Sequence, residues 1–520
     1  MSTTRRFLSG SASAWARIGL TVVTQVALVP LFLNFWSVKT YGVWIVLQAL
    51  VSVGSTFDRG LTDFMTYELL KYGNNNPSKS SELLGSSLAA AIVLWIIETI
   101  IFIIVILLIP FEHLNNTVSN ISTDVSKSIA LGFILLWFSW ILTNICSILS
   151  SSLYAFGYYP RFGWWNVFIA FMTSISSVIA VALGGQLLLV CFCNFLVTVI
   201  LIIIQFLDIK RLFKKNGLFI KIGSLVLGRT IFVQSIGLSA RYFLENFRQQ
   251  GVRLLLTPVI GPSGLVAFAT MRTGANVALQ GMGTVTKPIM PELLAFLHKG
   301  DQLRTNSTFS AIWLVILLIL APAILIIQVF APYFFVIWTQ GQIPFQPGLF
   351  ALLSISVMIY AWAQPPAAVV SGNNLVKAQF IISLLSSIAV LAGIFLLTPK
   401  VGILGAGIAL VIAEILSALG FLIYAKKCME QKQMKWPGNI SILSFFPIVI
   451  VSIALYFIVE MPKYQWIVLL VAFIILVFNA KIYWENLPIV ITNKANIIIN
   501  NLLLRKQKIE NVPVQTEDNL

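Results

Sequence analysis

An apolar stretch of about 20 residues is what a helix needs to cross a bilayer, and this chain holds fourteen such stretches. They cover residues 14–35, 42–65, 84–109, 129–156, 162–183, 187–207 and 229–257, then 264–286, 308–338, 348–370, 378–397, 403–425, 440–459 and 466–483. In hydrocarbon every backbone N–H and C=O must be paired within the protein, so only helices or closed barrels span. The runs are continuous rather than alternating, which excludes a barrel. Only 10% of residues are charged, against about 25% in soluble domains. The chain is read as an all-α integral membrane protein of about 14 transmembrane helices, arranged as two six-helix repeat lobes plus a C-terminal helix pair.

The net charge of +16 could point to nucleic acid, but its distribution points to topology. With the N-terminus inside, the inside loops and tails hold about 23 basic residues. The outside loops hold about 5: Lys39, Lys127, Arg253, Lys400 and Lys463. A multi-pass protein of the inner (cytoplasmic) membrane, with both termini cytoplasmic, is expected, and no nucleic acid as partner. The start MSTTRRFLSG runs into the first apolar stretch without a small-residue cleavage pattern, so it reads as retained rather than as a signal peptide.

Cys146, Cys191, Cys193 and Cys428 read as small packing residues, and only His113 and His298 are present. Neither a metal centre nor a catalytic triad has the residues it needs. The chain is therefore read as no enzyme and as needing no cofactor, H+ or Na+ coupling apart.

Domain limits follow from composition. Residues 1–208 form the N-terminal lobe with helices one to six, and 209–228 form a basic, partly amphipathic cytoplasmic linker. Residues 229–430 form the C-terminal lobe with helices seven to twelve, 431–484 an extra helix pair, and 485–520 a polar tail expected to be disordered. Two features recur in order in both halves: Tyr41-Gly42 and Ser263-Gly264 open the second helix of each, and Glu-Leu-Leu at 68–70 and 292–294 follows it. Facing repeats are a transporter architecture with the site at their interface.

The stretch 229–257 is the most informative. Gln234, Arg241, Glu245, Arg248 and Gln249 step by seven, four, three and one, on one helical side. An arginine at bilayer depth costs several kcal/mol, so this side must face protein or water. Arg241 lies 12 residues past Arg229, about 18 Å along the helix, near mid-bilayer. Three other helices carry comparable stripes: Ser13, Arg17, Thr21, Thr24 and Gln25 on the first; Gln48, Ser52, Ser55, Thr56, Arg59 and Asp63 on the second; Arg272, Asn276, Gln280, Thr284 and Lys287 on the eighth. These are the first two helices of each half, and they predict one shared cationic cavity. Guanidinium forks suit phosphate oxygens through paired, planar hydrogen bonds. Glu98 and Glu414 are lone acids in apolar helices, and Asp58 adjoins Arg59. Glu98, Glu245 and Asp58 are the candidates for ion coupling. A structural alternative reads Arg241, Glu245 and Arg248 as an ion triad, Arg17 and Arg59 as snorkelling to the interface, and Glu98 and Glu414 as protonated packing residues.

The run Leu28-Val29-Pro30-Leu31-Phe32-Leu33, then Tyr41-Gly42-Val43-Trp44-Ile45, then Asp58-Arg59-Gly60-Leu61 resembles the bacterial polysaccharide transporters. These include the O-antigen and other lipid-linked oligosaccharide flippases of the multidrug/oligosaccharidyl-lipid/polysaccharide superfamily. Gly157-Tyr158-Tyr159-Pro160 and Gly402-Ile403-Leu404-Gly405-Ala406-Gly407 are similar too, and the likeness spans roughly residues 10 to 430. The resemblance implies a MATE-like fold, a V-shaped pair of lobes working by alternating access. It also implies a cavity whose basic residues hold the diphosphate-sugar head of a lipid while its polyprenyl tail stays in the membrane. By position those residues are Arg17, Arg59, Arg241, Arg248 and Arg272, with Asn276 and Gln280 beside them. The implied substrate is undecaprenyl-diphosphate-linked oligosaccharide, an O-antigen or similar repeat unit moved from the cytoplasmic to the outer leaflet. Membrane lipids and the polysaccharide polymerase and chain-length machinery are the implied partners. Fourteen helices rather than twelve sit closer to the peptidoglycan lipid flippase type. A cation-coupled multidrug exporter of the same superfamily is the competing reading, but it needs acids to dominate the cavity. A membrane enzyme would need a large outside loop or an acidic motif, and the longest such loop, 110–128, holds only Glu112 and Asp124.

Overall fold

The computed structural model describes residues 3–56, 58–72, 77–108, 123–220, 223–286, 290–373 and 375–488. The N-terminal half consists of α1 (Thr3–Phe35), α2 (Val38–Gly54), α3 (Arg59–Tyr72), α4 (Pro77–Leu108), α5 (Thr123–Ser151), α6 (Tyr159–Ala182) and α7 (Leu187–Asn216). The second half begins with α8 (Leu225–Asn246), a π turn (Phe247–Gly251) and α9 (Val252–Thr286). It continues with α10 (Met290–His298), α11 (Gln302–Val315), α12 (Ala321–Thr339), α13 (Pro347–Trp362), α14 (Gln364–Gly372), α15 (Val376–Val401) and α16 (Leu404–Gln431). The C-terminal pair is α17 (Gly438–Glu460) and α18 (Gln465–Glu485). Most of loop 110–128, Lys287 and the tail beyond residue 488 lie outside the described residues.

Among the described residues, eleven helical runs are long and apolar enough to span, and two bent helix pairs raise the number to 13. One run, Val226–Val277, has 52 residues. Straight, it would measure about 78 Å, more than twice the hydrocarbon core. Gly261 divides it, with φ 72 and ψ 173 between Pro258 and Pro262. That backbone region penalises any residue with a Cβ. Counted as two, the run brings the spans to fourteen, one for each predicted stretch. The protein is a multi-pass membrane protein.

Two predicted spans are broken rather than continuous. The second bends by 44° between α2 and α3, where Ser55 and Thr56 turn their hydroxyls back onto the backbone of Ser52 and Val53. Such bonds compete with the helical ladder. The tenth bends by 44° between α13 and α14. There Pro365 and Pro366 occupy the first turn of α14, where a missing N–H costs no hydrogen bond. The expected linker is also shorter than its composition suggests. Residues 209–216 extend α7, which Gly217 ends in a left-handed cap. The chain then lies against α4, where Phe219 N and Ser224 N donate to the hydroxyls of Ser81 (3.2 Å) and Ser86 (3.0 Å).

One apolar core lies mainly in the first half, gathering Leu61, Trp95, Leu149, Phe162 and Leu212, with Ile231 of α8 added to it. A second ties α11–α14 to the C-terminal pair through Trp313, Met358, Val451 and Tyr483. A third joins the halves, with Phe32, Trp44, Trp137, Phe268 and Phe350. Between the halves, α3 packs directly on α8. Gly60 sits so close to Ser239 that a Cβ would overlap the Ser239 backbone. Tyr242 Oη donates to Asp63 at 2.8 Å, and Asn246 Nδ2 donates to Ser52 O at 2.5 Å.

On the side away from the start of α1, the halves are sealed. Trp338 Nε1 donates to Val26 O (2.6 Å), Gln342 Nε2 donates to Leu33 O (2.7 Å), and Gly42 lies against Pro262. Toward its N-terminus α1 packs on α6, where Gly163 receives Ser13, and its residues Arg17, Thr21 and Gln25 are exposed. The halves are thus tied together on the far side, while near its N-terminus α1 leaves Arg17, Thr21 and Gln25 exposed.

Candidate functional site

The structure gives the predicted cationic residues different immediate surroundings. Arg17 stands on the exposed face of α1. Arg59 and Arg241 meet at the α3–α8 interface, where their guanidinium carbons lie 4.9 and 5.5 Å from the centre of the Tyr242 ring. Neither forms a salt bridge among the described residues. Asp63 instead accepts from Tyr242, and Asp58, 1% exposed, accepts from Trp95 Nε1 at 3.1 Å.

Arg248 corrects a sequence expectation. It is 2% exposed and bound on both sides by carboxylates. One amino group donates to Glu245 at 2.8 Å and the other to Glu414 on α16. The expected triad of two arginines and one acid is instead one arginine paired directly with two acids, and Arg241 makes no salt bridge to either of them. A guanidinium so enclosed has no fork left for a diphosphate. Glu245 also accepts from Gln249 at 3.2 Å, so this ion candidate belongs to the Arg248 cluster and not with Asp58 and Glu98. Glu98 is 4% exposed, and neither carboxyl oxygen has a hydrogen-bond partner.

Arg272, Asn276 and Gln280 do come together. They line a cavity of about 200 Å³ between α9, α13 and α16, with Ser356, Tyr360 and Glu414 on the other walls. Arg272 Nη1 donates to Gln249 O at 2.9 Å. That carbonyl lies in the π turn, where the Phe247 ring rests on the bare Cα of Gly251. A π turn breaks the regular ladder and commonly marks a functional position. Glu414, an acid in the cavity wall, is held by Arg248, while Arg272 forms no salt bridge among the described residues; Arg248, Arg272, Glu245 and Glu414 together sum to zero charge.

A second cavity, of about 330 Å³, lies on the adjacent face of α9, between α1, α2, α6 and α7. Phe32, Tyr41 and Trp44 form its aromatic wall, Gln48 and Asn194 add amides, and Arg253 supplies its charge. Counted in sequence as a residue of an outside loop, Arg253 is in fact in the first turn of α9. The clue was available: an arginine inside the 229–257 run, 12 residues beyond Arg241. Gln280 Nε2 donates to Gln25 Oε1 at 2.8 Å, and this pair stands where the two chambers adjoin.

No family model matches the chain, and no curated protein matches it in sequence. Solved structures do match. An inward-facing multidrug resistance MATE family transporter of the MOP superfamily superposes with a TM-score of 0.60 at 11% identity, covering 81% of this chain and 99% of that one. The outward-facing conformation of such a transporter gives 0.55 at 13% identity, over 82% and 96%. A Vibrio cholerae MATE transporter gives 0.51 at 13%, over 82% and 98%. The chain therefore has the MATE transporter fold.

Proposed function

We propose that this protein is a transporter that flips an anionic, diphosphate-linked lipid oligosaccharide from the cytoplasmic to the outer leaflet. The excess of basic residues in alternate loops supports an orientation with the N-terminal end of α1 at the cytoplasm, where such a substrate is built. The observation that carries the reading is the α9 cavity, where Arg272 donates to a backbone carbonyl rather than to a carboxylate and Glu414 is held by Arg248. A diphosphate cannot enter hydrocarbon bare, and a cationic, polar chamber replaces its hydration.

The structural neighbours are multidrug MATE transporters, which favours an exporter as the second reading. A cationic drug needs an acid free to bind it, and Glu414, the acid lining the α9 cavity among the described residues, is held by Arg248. The deciding experiment is reconstitution in proteoliposomes with a fluorescent undecaprenyl-diphosphate oligosaccharide. Wild-type protein translocates it, and Arg272→Gln lowers the rate by tenfold or more with thermal stability kept within about 1 kcal/mol. Absence of wild-type translocation, together with efflux of a cationic dye, would establish the exporter instead.

A further inference from the structure

The aromatic chamber is not needed to hold a diphosphate, yet it is built as a binding site. Its volume sits at the small end of the ligand-pocket range, and its wall is mixed as such pockets are, with aromatic faces and a few placed polar groups. Its lining includes no aspartate or glutamate. Arg253 makes no salt bridge among the described residues, and its Nε is buried without a hydrogen-bond partner. A guanidinium in such a place calls for an anion that the chain does not supply. Phe32 stacks on both Tyr41 and Trp44, with centroids 5.7 and 5.9 Å apart and planes 22° and 26° from parallel. This makes a rigid apolar wall opposite the amides. Asn194 is itself fixed, since its Nδ2 donates to Ser177 Oγ at 3.1 Å.

An apolar face beside amides and hydroxyls suits a sugar ring, whose C–H face is apolar and whose edge carries hydroxyls. Arg253 adds a requirement for negative charge. We propose that this chamber is a subsite for a sugar residue bearing a carboxylate, of the uronic acid type. In it Arg253 pairs with the carboxylate and the Tyr41–Trp44 wall lies along the ring. The assignment rests on the flippase reading above and deepens it: α9 then separates the diphosphate at Arg272 from the glycan at Arg253. A planar guanidinium matches a carboxylate by two parallel hydrogen bonds, which a neutral sugar cannot reproduce.

Two measurements test this. The first is equilibrium binding of a free glucuronate-containing disaccharide, and of its carboxyl-reduced counterpart, to purified full-length protein. The second is translocation of the same two disaccharides on undecaprenyl diphosphate. Wild-type protein is expected to prefer the carboxylated form tenfold or more in both. Arg253→Gln removes the preference and leaves the reduced form unaffected, Arg253→Lys restores part of it, and Arg272→Gln slows both lipid-linked substrates equally. Monodisperse elution of each variant confirms that it folds. Equal binding of the two sugars by wild-type protein overturns the subsite. So does an Arg253→Gln variant that loses inorganic pyrophosphate binding instead, since Arg253 would then serve the phosphates. Arg253-dependent sugar binding without translocation supports the subsite and removes the flippase. Translocation without any carboxylate preference does the reverse.

Discussion

Arg248, on the π turn after α8, donates to Glu414 on α16, 166 residues later in the chain, while its other amino group holds Glu245 at 2.8 Å. The cluster pins the first helix of the second half to the last. Removing one member of a buried ion cluster leaves charge without a partner, at a cost of about 3–5 kcal/mol. Arg248→Ala is therefore expected to lower the melting temperature sharply and to reduce yield, as followed by fluorescence-detected size exclusion. The triple change Arg248→Met, Glu245→Leu, Glu414→Leu should be far milder, because no charge is left behind. Equal loss from both would mean that packing, not charge, holds the cluster.

Gly60 leaves just enough room for the Ser239 backbone. Gly60→Val forces α3 from α8 and is expected to cost about 1–3 kcal/mol through overpacking. Trimming the neighbour with Ser239→Gly should not rescue it, since the overlapped atoms include the Ser239 backbone. Thermal unfolding of the single and double variants measures this, and full rescue would show that only the side chain is in the way.

The far-side seal depends on Trp338, which donates to Val26 O at 2.6 Å. Trp338→Phe removes that donor and weakens the closed far side by about 1–3 kcal/mol. Spin labels at the exposed positions Leu183 and Ile337, one in each half, should report longer and broader distances by electron–electron resonance. An unchanged distribution would place the seal elsewhere, at Gly42 and Pro262.

Glu98 has two buried oxygens and no partner, so nothing in the fold rewards its carboxyl. Glu98→Leu should leave stability unchanged or raise it, whereas Asp58→Leu strands the Trp95 N–H and costs about 1–3 kcal/mol. If Glu98 carries a coupling ion, Glu98→Gln will also abolish the response of transport to an imposed proton or sodium gradient while binding persists. Transport that responds normally would leave Glu98 a packing residue.

The spans were legible because a bilayer enforces one pattern, a long apolar run, and each of the fourteen runs corresponds to a span. Breaks were partly legible: Pro365-Pro366 announced one, while the bend at Ser55 and Thr56 arises from hydroxyls bonding locally, which sequence alone does not distinguish from an ordinary polar stripe. The stripes showed which helical sides avoid lipid, but not what each side meets. Arg272, Asn276 and Gln280 share a wall because they share one face of α9. Arg248 faces Glu414, a partner its own helix could not reveal, and Arg253 was mistaken for a loop charge because it follows the predicted mid-bilayer point by a full half-span.

α9 forms a party wall. Thr270 and Thr273 look into the aromatic chamber, while Arg272 and Asn276 look into the chamber beside α16. Tilting such a wall about its break at Gly261 enlarges one room as it shrinks the other, so filling either biases the same hinge. Two ligands acting on one hinge must alter each other's affinity by equal factors, and the head and the glycan of a single molecule would then be sensed together, as one load.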